Sequence, residues 1–177
     1  MNGREASRNI VVVGFMGTGK STVSRLLSEH LGWDSKDTDE EIVKAAGKAI
    51  PRIFEEDGES AFRDWESRVL QGVLSRERQV VATGGGAVLR EGNREEMLRR
   101  GWVVALTADK ASLLRRVTGA EAGARPLLAG DAEERITALL ESRRHAYDFA
   151  NATVDTSDRT PAEVAEAVVR GLPPEWF

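Results

Sequence analysis

The sequence predicts an α/β fold in which a mostly parallel sheet carries helices on both faces. Short apolar runs rich in valine recur along the chain without polar alternation, which is typical of strands buried on both sides. Stretches of helical periodicity separate these runs, and strands joined through helices pair in parallel through right-handed crossovers. No repeat, low-complexity tract or linker divides the 177 residues, so we expect a single domain over residues 1–177.

Each element is predicted from its own local pattern. Residues 10–13 are continuously apolar, and the helix after them begins at Lys20, keeps its apolar residues at helical spacing and stops at Gly32. A short second strand is expected to end at Asp37. The remaining strands are predicted over 80–82, 102–106 and around residue 154, and the remaining helices over 40–46, 60–75, 93–100, 111–117, 132–146 and 161–170.

One long segment lacks such a pattern. Residues 118–131 hold three glycines and one proline between two predicted helices. A loop of this length in a small domain is either slack or a lid, and we interpret it as a lid. Ligands of parallel α/β sheets bind beyond the carboxyl ends of the strands, which is where such a lid would close.

The composition excludes several classes of function. With 41% hydrophobic and 31% charged residues the chain has the balance of a folded domain, and no apolar run approaches the roughly 20 residues of a membrane-spanning helix. The net charge of −4 argues against nucleic-acid binding, and the absence of cysteine excludes thiol chemistry. The polar stretch before the first strand is too short for a signal peptide. We expect a soluble, cytoplasmic monomer that acts on small molecules, with no membrane partner.

A phosphate-binding loop is the strongest single motif. Residues 14–21 read GFMGTGKS and fit the pattern G-x-x-x-x-G-K-[ST] between a strand and a helix. The glycines let backbone N–H groups point inward, and the helix N-terminus adds partial positive charge. Lys20 is expected to reach the β- and γ-phosphates, and the Ser21 hydroxyl to bind Mg²⁺. The predicted nucleotide-binding residues are Gly17, Thr18, Gly19, Lys20, Ser21 and Thr22.

Two carboxylates follow at Asp37 and Asp39. In an extended chain they project on the same side, so that one could serve Mg²⁺ through water while the other faces an acceptor hydroxyl. The alternative is an acidic N-cap for the helix that begins near Glu40. The phosphate loop earlier in the chain favours the functional interpretation.

Glycines and arginines suggest an anionic second substrate. Three glycines at 84–86 end a strand, where a ligand can approach the backbone closely, although a flexible turn would have the same composition. Arg63 lies near the edge of an apolar helix stripe with Glu66 three residues later, an arrangement that is more often a surface ion pair. Arg125 stands in the predicted lid, where an arginine can neutralise charge developing during phosphoryl transfer. Arg143 and Arg144 follow on the next helix.

Taken together, these motifs resemble the shikimate kinase family. They stand in the family's order: GFMGTGKST at 14–22, DTDEEI at 37–42, IPRIFEEDGESAFRDWE at 50–66, GGGAVLR at 84–90 and RPLL at 125–128. The resemblance covers residues 10–168 and implies a P-loop kinase fold like that of nucleoside monophosphate kinases, with an acceptor-binding helical region at about 38–70. It also implies transfer of the ATP γ-phosphoryl group, with Mg²⁺, to the 3-hydroxyl of shikimate, a step toward chorismate and the aromatic amino acids.

The resemblance assigns roles to individual residues. Asp39 is expected to contact the shikimate hydroxyls and Asp37 to serve Mg²⁺. Arg63, oriented by Glu66, is expected to grip the substrate carboxylate together with Arg143. The other matching positions are Gly84, Gly85 and Gly86 on the substrate, Phe54 and Phe62 as walls of its pocket, Arg125 on the phosphates, and Arg116 and Pro161 beside adenine. Lys20, Asp39 and Arg125 are the expected catalytic residues.

Some alternatives stay open in the sequence. Spacing from Tyr147 selects Arg143 as the second carboxylate-binding arginine, but a shortened segment after Tyr147 leaves Arg144 possible. Pro161 also fits a capping box that runs from Thr160 to Glu163. A gluconate kinase would show a histidine soon after the acidic pair, where this chain has Glu-Glu-Ile. A non-catalytic ATP-sensing module is disfavoured because the lysine, the serine, both aspartates and the three glycines are all retained.

Overall fold

The computed structural model describes residues 8–117 and 132–177 and confirms the α/β prediction. Within these ranges five strands form one parallel sheet in the order β2-β3-β1-β4-β5. The strands are Asn9–Gly14 (β1), Asp34–Asp37 (β2), Gln79–Ala82 (β3), Trp102–Thr107 (β4) and Ala152–Asp155 (β5). The weakly patterned strand around residue 154 is therefore present, at one edge of the sheet.

The described ranges contain seven α-helices. They are Lys20–Leu31 (α1), Thr38–Ala46 (α2), Ile50–Leu74 (α3), Glu91–Arg100 (α4), Lys110–Val117 (α5), Ala132–Ser142 (α6) and Pro161–Gly171 (α7). Short 3₁₀ turns follow at Ala87–Leu89 and Pro174–Trp176. None of the helices in these ranges combines the length and the hydrophobicity that crossing a membrane requires.

Successive residues of the central strand build two cores. Ile10 and Val12 face α1 and α7, whereas Val11 and Val13 face α3 and α4, and all four are fully buried. Full burial of such a side chain is worth about 1.5–3 kcal/mol relative to exposure. Because both faces are covered by helices, the strand sequence is apolar throughout instead of alternating.

Two stretches differ from the predicted helices. Helix α3 consists of two segments separated by a kink at Gly58: the segment from residue 59 to 74 matches the predicted helix over 60–75, whereas the segment over 50–57, with Pro51 in its first turn, was not predicted. Gly58 has φ 88° and ψ 169°, a conformation that is essentially restricted to glycine. Helix α6 ends at Ser142 rather than residue 146. Beyond it the amide of Ala146 bonds to the carbonyl three residues back, which is turn geometry.

The sheet order places the functional motifs together at the carboxyl ends of the strands. Gly14 ends the central strand beside Leu106 of β4, and Asp37 ends β2 beside Ala82 of β3. Since all strands are parallel, the phosphate loop, the acidic pair and the glycine run leave the sheet on the same side. Ligands of parallel α/β sheets bind at these carboxyl ends.

Candidate active site

Residues 14–21 form a closed turn between β1 and α1. Gly17 and Gly19 have φ of 81° and 87°, in the left-handed region that glycine adopts without steric cost. A Cβ at Gly17 would lie 2.8 Å from Cγ1 of Val117, so helix α5 packs directly against the loop. The glycines therefore serve both the curl of the backbone and its close approach to a helix.

Hydrogen bonds within the loop hold its shape. The Nζ of Lys20 donates to the carbonyls of Gly14 at 2.8 Å and Phe15 at 3.0 Å. The hydroxyl of Thr18 donates to the same Phe15 carbonyl at 2.7 Å. Thr18 is buried, and among the predicted nucleotide-binding residues its side chain braces the loop instead of lining the cavity beside it.

A cavity of about 630 Å³ opens beside this loop. Its volume lies within the range of small-molecule binding sites. It joins three motifs that are far apart in the sequence: the phosphate loop, the acidic pair and the glycine run. The residues that line it are Met16, Gly17, Gly19, Lys20, Ser21, Thr22, Asp37, Asp39, Thr83, Gly84, Gly85 and Arg116.

The hydroxyl of Ser21 contacts the carboxylate of Asp37 at the N-terminus of α1. Ser21 Oγ donates to Asp37 Oδ2 at 2.7 Å. The other oxygen, Oδ1, accepts from the backbone N–H groups of Asp39 at 2.9 Å and Glu40 at 3.3 Å, so Asp37 is also the N-cap of α2. The N-cap interpretation of Asp37 is therefore confirmed, and the Oδ2 oxygen is left on the side of Ser21. The pair presents the hard oxygen donors that Mg²⁺ prefers.

A divalent cation would depend on this pair and on a phosphate ligand. Among the residues that the structure describes, no group of three or more histidine, aspartate or glutamate side chains could hold a metal by itself. Mg²⁺ is commonly bound through one or two protein groups together with substrate phosphates and water. Ser21 and Asp37 fit that mode of binding.

Asp39 and Glu66 both pack against Gly84. A Cβ at residue 84 would lie 2.8 Å from Asp39 Oδ1 and 3.0 Å from Glu66 Oε2. The Gly84 amide donates to the hydroxyl of Thr38 at 3.3 Å, which holds the glycine against the start of α2. Asp39 also lines the cavity, so it is placed between the phosphate loop and the buried charges behind the glycines.

Arg63 is buried, with 8% of its surface exposed, and is not the surface ion pair that its sequence context favours. Its Nη1 donates to Oε1 of Glu66 at 2.9 Å. Its guanidinium carbon lies 5.2 Å from the centre of the Phe62 ring, and a Cβ at Gly86 would overlap the guanidinium. The buried cation is thus enclosed by a carboxylate, an aromatic face and a glycine.

Glu66 is a buried acid whose protonation is perturbed. Only 1% of its surface is exposed, and burial raises its pKa from an ordinary 4.5 to about 7. The charge of Asp39 adds to the rise, while Arg63 and Arg143 oppose it. The buried Glu66, the half-buried Asp39 and the two buried arginines therefore form one electrostatic unit beside the cavity.

The structure distinguishes the two arginines after α6. Arg143 has 5% of its surface exposed, its Nη1 lies 3.3 Å from the position of a Cβ at Gly85, and its guanidinium lies 5.9 Å from the centre of the Phe15 ring. Arg144 is exposed. Arg143 is therefore the arginine that reaches the glycine run.

Arg116 ties the phosphate loop to the end of β5. Its Nη1 donates to the Gly17 carbonyl at 3.1 Å and to the Thr156 hydroxyl at 3.0 Å, and its Nη2 donates to the Thr156 carbonyl at 2.9 Å. Arg116 also lines the cavity, whereas Pro161 does not. Pro161 stands in the first turn of α7, where the predicted capping box of Thr160 and Glu163 is confirmed.

The two phenylalanines belong to a small core between α2 and α3. Phe54 and Phe62 pack with ring centres 4.8 Å apart, against Ile42 and Ile53. Neither ring lines the cavity, although Phe62 contacts Arg63 through its face. Phe62 thus supports the position of Arg63, and Phe54 packs behind it against Phe62.

Two predictions lie outside the described residues: Arg125 and the lid over 118–131. Five residues at the site were not predicted: Met16 and Thr83, which line the cavity, and Thr38, Tyr147 and Thr156, which bond to residues around it. The hydroxyl of Tyr147 donates to the Gly85 carbonyl at 2.7 Å, and burial raises the pKa of that hydroxyl. The fixed spacing between Arg143 and Tyr147 was a signal for the tyrosine; nothing local marked Thr156.

Comparison with known proteins agrees with this geometry. The family model described as shikimate kinase matches residues 16–173. The chain is 48% identical to a shikimate kinase of Gloeobacter violaceus, covering 93% of this chain and 92% of that protein. It is 46% identical to one of Streptomyces coelicolor, covering 90% and 92%. A solved shikimate kinase from Acinetobacter baumannii in complex with shikimate matches with a TM-score of 0.88 at 39% identity, covering 94% of this chain and 93% of that chain.

Proposed function

Because this chain belongs to the shikimate kinase family, we propose that it transfers the γ-phosphoryl group of ATP to the 3-hydroxyl of shikimate, in the route to chorismate and the aromatic amino acids. The observation that carries the proposal is the cavity of about 630 Å³ shared by the phosphate loop and Asp39. Behind its glycine wall lie the buried Arg63 and Arg143. This arrangement suits a hydroxylated carboxylate beside a triphosphate.

The phosphate loop binds and positions the donor. Phosphoryl transfer passes through a loose transition state, so catalysis is mostly positioning and charge neutralisation. Lys20 exchanges its carbonyl partners for the β- and γ-phosphates, and the amides of Gly17, Thr18, Gly19, Ser21 and Thr22 surround the anion. Arg116 holds the phosphate loop and lies on one side of the adenine base of ATP. Pro161 lies on the other side of the adenine. Arg125 completes the neutralisation from the lid over 118–131.

The acceptor lies between the glycine run and α3. Arg63 and Arg143 bind its carboxylate, which fixes the ring so that one hydroxyl faces the phosphates. Asp39 orients that hydroxyl and accepts its proton as transfer proceeds. Glu66 holds Arg63, the backbone of Gly84, Gly85 and Gly86 lies against the ring, and Phe54 and Phe62 wall the pocket. Residues 38–70 thus form the acceptor-binding region of a single domain over 1–177.

Ser21 and Asp37 are the residues that would hold Mg²⁺. When bound, the cation neutralises charge on the β- and γ-phosphates. The hydrogen bond of 2.7 Å between Ser21 Oγ and Asp37 Oδ2 keeps both donors on the side of the loop that faces the cavity. We also propose that the enzyme acts in the cytoplasm as a monomer and takes no nucleic acid or membrane partner.

The test is acceptor-dependent release of ADP. Purified protein is given Mg-ATP with shikimate, gluconate, a nucleoside monophosphate or no acceptor, and ADP is measured by a coupled assay. Release that requires shikimate supports the proposal, and analysis of the product by NMR identifies the phosphorylated hydroxyl. Release with another acceptor alone would retain the kinase and overturn the substrate. ATP binding without release in any mixture would indicate a sensing module.

A further inference from the structure

Arg63 is contacted by two carboxylates of its own helix, and the two contacts differ. Glu66 is buried, and its Oε1 accepts from Nη1 at 2.9 Å. Glu59 has a side chain 56% exposed, and its Oε1 accepts from Nη2 at 3.4 Å, which is a long hydrogen bond. The inner carboxylate is fixed by packing, whereas the outer one is held loosely at the solvent side.

A kink in α3 brings Glu59 to this position. Gly58 interrupts the helix with φ 88°, and the helix resumes at Glu59, so that Arg63 stands one turn later on the same face. The preceding acids are engaged elsewhere, since Glu56 and Asp57 pair with Lys48 at 3.0 Å and 2.5 Å. Glu59 is therefore the acid of this stretch that reaches the guanidinium.

An incoming carboxylate has to use the same guanidinium nitrogen as Glu59, namely Nη2 of Arg63. Arginine binds carboxylates best through two N–H groups at once. Both terminal nitrogens pack over Gly86, but only Nη1 is bonded to the fixed Glu66, and Nε is buried and finds no acceptor among the described residues. The edge formed by Nη2 and Nε is therefore the one that the fixed carboxylate does not use, and Glu59 contacts its outer end.

We propose that Glu59 determines acceptor affinity and specificity by competing with the substrate carboxylate for Nη2 of Arg63. This inference rests on the proposed function, in which the acceptor carries a carboxylate. Binding then exchanges one carboxylate for another, so the exchange contributes little net free energy by itself. A ligand gains affinity only through its further contacts, such as those of its hydroxyls with Asp39, and simple anions are rejected.

The experiment compares Glu59→Gln with Glu55→Gln. Both changes remove one negative charge from the exposed surface of the same helix, but Glu55 does not pair with Arg63 in the described structure. Shikimate affinity is measured by calorimetry without nucleotide, and kcat and both KM values by the coupled assay. An exposed ion pair is worth a factor of about two to five in affinity. We expect Glu59→Gln to lower the Kd and KM for shikimate by that factor, with kcat and the KM for ATP unchanged and Glu55→Gln close to wild type.

The outcomes separate this inference from the proposed function. A Kd for shikimate that is unchanged or raised in Glu59→Gln, while the wild type binds and phosphorylates shikimate, overturns the competition; a raised Kd would mean that Glu59 only holds Arg63 in place. An equal gain in Glu55→Gln would also overturn it, since general charge would then explain the effect. If the wild type neither binds nor phosphorylates shikimate, the proposed function fails first.

Discussion

The guanidinium of Arg63 occupies the space that a side chain at Gly86 would fill. A Cβ at residue 86 would lie 2.5 Å from both Cζ and Nη2 of the arginine, closer than real contacts allow. Gly84 stands in the same relation to Asp39 and Glu66, and Gly85 in a looser one to Arg143. Each glycine of the run therefore leaves room for a charged side chain of the site.

Gly86→Ala should displace Arg63 and weaken acceptor binding. Because the methyl group meets the buried end of the guanidinium, we expect the KM for shikimate to rise at least about tenfold, the range of a lost charged hydrogen bond, with the KM for ATP little changed. Gly92→Ala is the matched control, since nothing lies within 4 Å of its Cβ position. Equal KM values for shikimate in both variants would contradict this relation between Gly86 and Arg63.

Lys20→Ala should remove most of the turnover. The lysine is the cation of the phosphate loop, and losing one preorganised group that stabilises the transition state costs about 10²–10³ in kcat. Lys36→Ala on β2 removes the same charge outside the cavity and should retain activity. The measurement is the steady-state rate at saturating ATP and shikimate, with thermal unfolding to verify the fold. A Lys20→Ala enzyme within tenfold of wild type would sink the assignment.

Arg143 and Arg144 should differ sharply when replaced one at a time. Arg143 is buried beside Gly85, and in the proposed function it binds the substrate carboxylate. Because Arg143→Ala removes this buried cationic partner, the KM for shikimate should rise by about tenfold or more. Arg144 is exposed, and Arg144→Ala should stay within about twofold of wild type. Steady-state kinetics with varied shikimate decide between them. The reverse pattern would show that the other arginine serves the acceptor.

Glu66 should make the protein less stable as the pH rises. Its pKa is about 7 when folded against 4.5 ordinarily, so the folded state binds the proton more tightly than the unfolded state. The stabilisation is complete below pH 4.5 and is lost as the pH passes through 7. Relative to Glu66→Gln, the wild type should lose up to about 3 kcal/mol of unfolding free energy over this window. Urea unfolding of both proteins at pH 5 and pH 8 measures it, and a difference independent of pH would count against a perturbed Glu66.

Thr156→Val should weaken the binding of ATP and leave the binding of the acceptor unchanged. The valine cannot accept from Arg116 or donate to the Thr107 carbonyl, so the tie between β5 and Gly17 weakens. Leaving buried groups unpaired costs about 1–3 kcal/mol, and we expect the KM for ATP to rise several-fold with the KM for shikimate unchanged. Thr153→Val on the exposed side of β5 is the control. A rise confined to the KM for shikimate would exclude this role.

The sequence predicted the fold well because its signals are local. Apolar runs indicated four of the five strands, whereas β2 reads Asp-Ser-Lys-Asp and was expected only as a short strand ending at Asp37. The capping box at Thr160 indicated the start of α7, since its hydrogen bonds join residues three apart. The segment over 50–57 was missed because proline and glycine usually stand outside helices. Here Pro51 lies in the first turn of α3, and Gly58 forms a kink after which the helix resumes at Glu59.

The site was predictable only in part. Residues 14–21 were recognisable from their residue pattern, because the loop is shaped largely by its own residues. Lys20 and Thr18 bond to carbonyls only a few residues away. The spacing from Tyr147 favoured Arg143 over Arg144 but left the second arginine possible. The choice between them depends on which side chain turns inward after α6 ends, and that is set by packing against Phe15 and the glycine run.

By itself the sequence determined the fold class and the phosphate loop, because periodicity and short-range hydrogen bonding depend on neighbouring residues. Tertiary structure alone decided that Arg63 is buried, that Glu66 titrates near neutrality and that Arg116 secures Gly17. These properties arise from desolvation and from contacts between distant segments. They exist only once the sheet order has brought the ends of the strands together.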